Sequence, residues 1–110
     1  MQLTKAQALL ITCRTMNPFV TERLLTVSAG GSVAPSASAP DVKIDLVLKD
    51  IDQDDNTYGL HEIKFVLDHL TEYGKEAGCS SLTLSRSELL DPNQVETVDD
   101  LATLVQVRAQ

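Results

Sequence analysis

Asp50, Asp52, Asp54 and Asn56 place oxygen ligands at alternating positions ahead of Glu62, the densest run of metal-capable side chains in the sequence. Alternating carboxylates closing on a glutamate match a single EF-hand-like calcium loop, in which hard oxygen donors wrap one divalent cation. The spacing departs from that pattern. Counted from Asp52, Glu62 stands at position 11 and the turn position six holds Thr57; counted from Asp50, Glu62 stands at 13 and position six holds Asp55. An EF-hand glutamate belongs at about position 12 with a glycine at six, and no second loop is present to pair with this one. A calcium site built from Asp50, Asp52, Asp54, Asn56 and Glu62 is therefore the alternative reading.

Catalytic chemistry has less to work with. His61 and His69 are eight residues apart without a fixed partner, which suits surface histidines. Cys13 and Cys79 have neither a nearby histidine nor Cys-x-x-Cys spacing, so both are expected as free thiols in a reducing cytoplasm. Gly30 and Gly31 sit in a small-residue stretch with no strand ahead of them, unlike a phosphate-cradling loop. Ser85 followed by Glu88 reads as a helix cap. No catalytic residue is expected, and the chain is not read as an enzyme.

The 110 residues are 43% hydrophobic and only 4% aromatic, without tryptophan, which points to one domain with an aliphatic core. Sixteen acids against nine bases give a net charge of −7. That balance repels nucleic acid and anionic membranes and favours a partner with a basic surface. Residues 41–76 hold ten acids and four bases, so −6 falls on the middle third. Lys5 and the apolar residues after it resemble a secretion signal, but Gln7 interrupts the run and the segment is read as folded protein. No apolar run approaches the ~20 residues of a membrane span.

Several elements are needed to position these groups. Leu3, Ala6, Leu10 and Cys13, with Leu9 and Met16, recur at helical spacing and predict a helix over residues 3–16. Asn17 and Pro18 supply a cap and first turn for a second helix, or a kinked continuation, to about residue 28. Glycine, proline and small residues over 29–41 predict a flexible loop. Residues 42–51 alternate apolar and polar, but with no partner strand they are expected as an extended or single-turn segment. Leu60, Ile63, Val66, Leu67, Leu70 and Tyr73 make the strongest helical stripe, with Glu62, Asp68, His69 and Glu72 opposite and Gly74 and Gly78 ending it. A short helix is expected near residues 89–95. Thr97 and Asp100 then form a capping box ahead of Val98, Leu101, Leu104 and Val105.

The run from Leu48 to Ile51, the helix opening at Gly59 and Leu60, and the stretch from Glu96 to Val105 together resemble an acyl carrier protein over residues 41–110. The resemblance implies an all-α, four-helix bundle to which residues 1–28 add an N-terminal helical segment. It implies a protein-interaction or carrier module of fatty-acid or polyketide metabolism, contacting partners through Leu60, Glu62, Ile63, Asp68 and Glu72. In that family a serine just before the leucine carries 4′-phosphopantetheine. Here Gly59 holds that position and Tyr58 precedes it, and glycine has no nucleophile. No prosthetic group is expected unless the alignment slips, with the Thr57 hydroxyl as the alternative attachment point. The N-terminal segment either packs on the bundle or exchanges between two copies, so monomer and dimer both remain open.

Overall fold

The computed structural model describes residues 3–58 and 62–109, with side chains for all of these except 54–58 and 62. Helix α1 spans Lys5–Met16. Its N-terminus is closed by Thr4, whose hydroxyl accepts the Gln7 backbone N–H at 3.1 Å while the Gln7 side-chain oxygen Oε1 accepts the Thr4 N–H at 2.8 Å. The buried face is Ala8, Ile11, Thr12, Cys13, Thr15 and Met16, rotated from the expected stripe; Ala6 is exposed and Leu9 and Leu10 are half-buried. Threonines can lie inward because the Thr12 and Thr15 hydroxyls donate to the carbonyls of Ala8 and Ile11 at 2.8 and 2.9 Å.

The expected second helix is not formed. Asn17–Phe19 makes one 3₁₀ turn, after which the chain becomes a hairpin of β1 (Leu25–Val27) and β2 (Val33–Pro35), antiparallel in the register Leu25↔Pro35, Thr26↔Ala34, Val27↔Val33. Two features override the apolar spacing. Threonine and valine fit an extended backbone better than a helix. Gly31, at φ 84°, turns the chain where another side chain would be strained. The fold is thus mostly helical, with a small two-stranded sheet where an all-α chain and a loop over 29–41 were expected.

The segment after this hairpin also differs. Residue 43 bridges to Thr97, and the N–H groups of Ile44 and Asp45 both donate to the Glu96 carbonyl. Helix α2, Asp45–Tyr58, then replaces the expected extended stretch. Ile44, Leu48 and Ile51 recur at steps of four and three and are buried, whereas Leu46, which had suggested alternation, is 69% exposed.

Helix α3 spans Glu62–Glu76 and buries Ile63, Val66 and Leu70. Gly74 lies within it, and the turn falls at Gly78, φ 96°, with the Cys79 N–H reaching back to the Gly74 carbonyl at 2.8 Å. The short α4 is Arg86–Leu89, earlier than expected, because Ser85 and Glu88 form a full capping box there. Helix α5, Val98–Arg108, starts at the expected box of Thr97 and Asp100. Helix α1 packs against both α5 and α3, and one hydrophobic cluster runs from Leu3 to Ala109.

Candidate functional site

The outward side of α3 combines an exposed aromatic side chain with acids. Because a helix returns to the same face every three to four residues, burying Ile63, Val66 and Leu70 turns Phe65, Asp68, His69 and Glu72 outward. Phe65 is 57% exposed. His69 stacks between Phe65 and Tyr73, with ring centroids 6.4 and 5.8 Å apart. The Arg14 guanidinium covers the Tyr73 ring at 4.0 Å and pairs with Glu76 at 3.2 Å, so α1 fixes the far end of the ladder. Glu72 meets Lys75 at 3.6 Å across exposed surface, a pair that contributes little and can exchange for an incoming cation.

The other expected site residues are dispersed. Ile63 belongs to the core and positions α3, so its expected role as a partner contact is corrected. Gly59 and Leu60, and His61 beside them, lie outside the described residues, and Glu62 opens α3 with its side chain also outside them. Thr57 stands in the last turn of α2. A helix C-terminus carries the negative end of the peptide dipoles and disfavours a phosphodiester, while Gly59 offers no hydroxyl. These residues do not fit a phosphopantetheine attachment point.

The calcium arrangement meets a similar obstacle. Residues 50, 52, 54 and 56 all stand on the helical backbone of α2, where an EF-hand ligand set needs a looped chain. Asp52 is instead engaged by the Arg86 guanidinium of α4. Among the residues whose side chains are described, which leave out Asp54, Asn56 and Glu62, no group of three His, Cys, Asp or Glu side chains converges.

Both cysteines are buried free thiols. Burial pushes the Cys13 thiol up to about 11, away from the nucleophilic thiolate form. A cleft of about 310 Å³ lies between α2 and the chain after α4, lined by Leu46, Lys49, Leu89, Leu90, Pro92 and Val95. The exposed aromatic ladder was missed in the sequence although its signal was there: Phe65, His69 and Tyr73 follow one another at four-residue steps. No helix is long and apolar enough to cross a membrane among the described residues.

No protein-family model, curated protein or solved structure matches this chain.

Proposed function

We propose that this chain is a divergent acyl-carrier-protein-like binding module that docks the basic surface of a partner protein through α3 and carries no phosphopantetheine arm. The element order within residues 41–110 supports it: α3, the short α4 and α5 follow one another as long, short, long, the order the resemblance implies for its last three helices, while α1 lies in the added N-terminal segment. The observation that carries the reading is Phe65, exposed on the helix face that also presents Asp68 and Glu72. Covering a phenylalanine side chain contributes roughly 1.5–3 kcal/mol, and exposed aromatics flanked by charges are favoured contact points. Asp68 and Glu72 steer a basic surface toward that ring, and the net charge of −7 extends the attraction.

In this role the ladder is a scaffold. Arg14 on Tyr73, and Tyr73 on His69, hold Phe65 outward, so little ordering entropy is lost on docking. Fatty-acid or polyketide metabolism is the setting the resemblance suggests, with the chain acting as an interaction component in the cytoplasm. Two measurements test the reading. Intact mass after co-expression with a phosphopantetheinyl transferase is expected to equal the bare chain, and a gain of one phosphopantetheine would overturn the unmodified state. Affinity purification from the source cell is expected to retain a basic protein that is lost with Phe65→Ala or Asp68→Lys. Equal retention by both variants would overturn docking through α3.

A further inference from the structure

Opposite the ladder in chemistry, the hairpin carries an unfilled edge and no charge. The Ser28 N–H donates to the Ser32 carbonyl and the Ser36 N–H to the Leu24 carbonyl, which places the hydrogen-bonded pairs of this antiparallel ladder at residues 24–36, 26–34 and 28–32. The backbone groups of Leu25 and Val27 therefore point away from β2, and those of Val33 and Pro35 point away from β1. Pro35 has no N–H, and β2 runs beside α1, so the outer edge of β2 is blunted. Among the described residues no strand pairs with the outer edge of β1.

We propose that β1 pairs with β1 of a second copy of this chain, antiparallel about a two-fold axis at Thr26, to give a four-stranded sheet in the order β2, β1, β1, β2. Three observations select a second copy as the occupant. First, the register closes on itself. Leu25 faces Val27 of the other copy, and these are the residues whose N–H and C=O groups are turned outward, so each such pair exchanges backbone hydrogen bonds. Second, the side chains match. Leu25, Val27, Val33 and Pro35 share one face of the hairpin, and next to its turn Val27 and Val33 are 69% and 43% exposed. Pairing about Thr26 sets the exposed Val27 beside the half-buried Leu25 of the other copy and joins two short apolar faces into one. Third, residues 24–40 contain no ionisable side chain, so two copies of a chain of charge −7 meet here with the least repulsion. A two-stranded hairpin is marginal alone and gains from further strands.

The association is isologous and small, so it is expected to be weak and dependent on concentration. Sedimentation of the full chain from low micromolar to near-millimolar concentration is expected to show a shift from 12.0 kDa toward twice that mass. Added salt is expected to strengthen it by screening like charges. Val27→Pro removes an outward N–H without touching the β1–β2 bonds, and Val27→Lys adds a charge at the joint. Both are expected to stay monomeric with the far-ultraviolet spectrum of the parent, while Phe65→Ala dimerises normally. A monomer at every concentration, weakening by salt, or a dimer that survives both Val27 variants would overturn the proposal. Loss of the dimer in Phe65→Ala alone would also overturn it, moving the contact to α3.

Discussion

Gly74 shows how one residue can contradict a local rule for a packing reason. A glycine inside a helix costs about 1 kcal/mol relative to alanine, which suggested a helix end at this position. A Cβ at residue 74 would stand 2.8 Å from Leu82 Cδ2, 3.1 Å from Leu82 Cβ and 3.3 Å from the Cys79 carbonyl oxygen. Leu82 is fully buried and the carbonyl belongs to the turn, so neither yields easily. The clash outweighs the gain in propensity, and Gly74→Ala is expected to lower stability by about 1–3 kcal/mol in urea unfolding. A variant more stable than the parent would show that the turn relaxes.

Cys13 gives a pH prediction at the same scale. Its thiol is pushed up to about 11 from an ordinary value of 9.0, by burial alone. Folding therefore favours the protonated form. The contribution is complete below pH 9 and is lost as the pH rises through about 11, because the unfolded chain releases the proton first. Urea midpoints are expected to fall between pH 8 and pH 10.5, and to fall less in Cys13→Ala. Neither the glycine packing nor the degree of burial was legible in the sequence, because both depend on which segment crosses α3 and α1.

Among the elements, those with local signals were legible and those set by distant partners were not. The boxes at Ser85 and Thr97 were visible because a cap needs only a hydroxyl and an acid three residues later. Asp100 accepts from the N–H groups of both Glu96 and Thr97 at 3.1 Å, and Thr97→Ala is expected to cost about 1 kcal/mol in thermal or urea unfolding. The α2 start was hidden because the Glu96 carbonyl, far along the chain, receives its first N–H groups. The hairpin was hidden because Leu24 and Val27 also fit a helical stripe.

Helix α4 adds an acid-dependent contact. Hydrogen bonding from the Arg108 side chain, then from the Ser85 backbone, holds the Glu88 carboxyl below its ordinary value. The stability this gives is present above the unfolded value and is lost as the pH falls through the folded one. Glu88→Gln is therefore expected to unfold more easily than the parent at pH 7 and to lose less on acidification toward pH 3. Equal acid sensitivity in both chains would remove Glu88 from the account.

For the whole molecule, the uneven charge divides the surface into two kinds. The acidic α3 face suits attraction of unlike surfaces, and the uncharged hairpin suits contact between like ones. The first was half legible. The acids, their helix and the four-residue spacing of Phe65, His69 and Tyr73 were in the sequence, whereas the capping of that ladder by Arg14 depends on how α1 packs against α3. The expected partner contact at Ile63 gave way because α3 turns that residue into the core, and residues 50, 52, 54 and 56 stand on helical backbone where a calcium loop was the alternative reading.

Docking of a basic protein on the α3 face around Phe65 is open to direct capture. It is tested most directly by placing a photoreactive phenylalanine at position 65 and irradiating it in the source cell, with position 107 on α5 as control. Val107 is a matched control because it is also half exposed. One discrete adduct with a basic protein is expected from position 65, absent from position 107 and abolished by Asp68→Lys with Glu72→Lys. No adduct at position 65, or the same adducts from both positions, would contradict it.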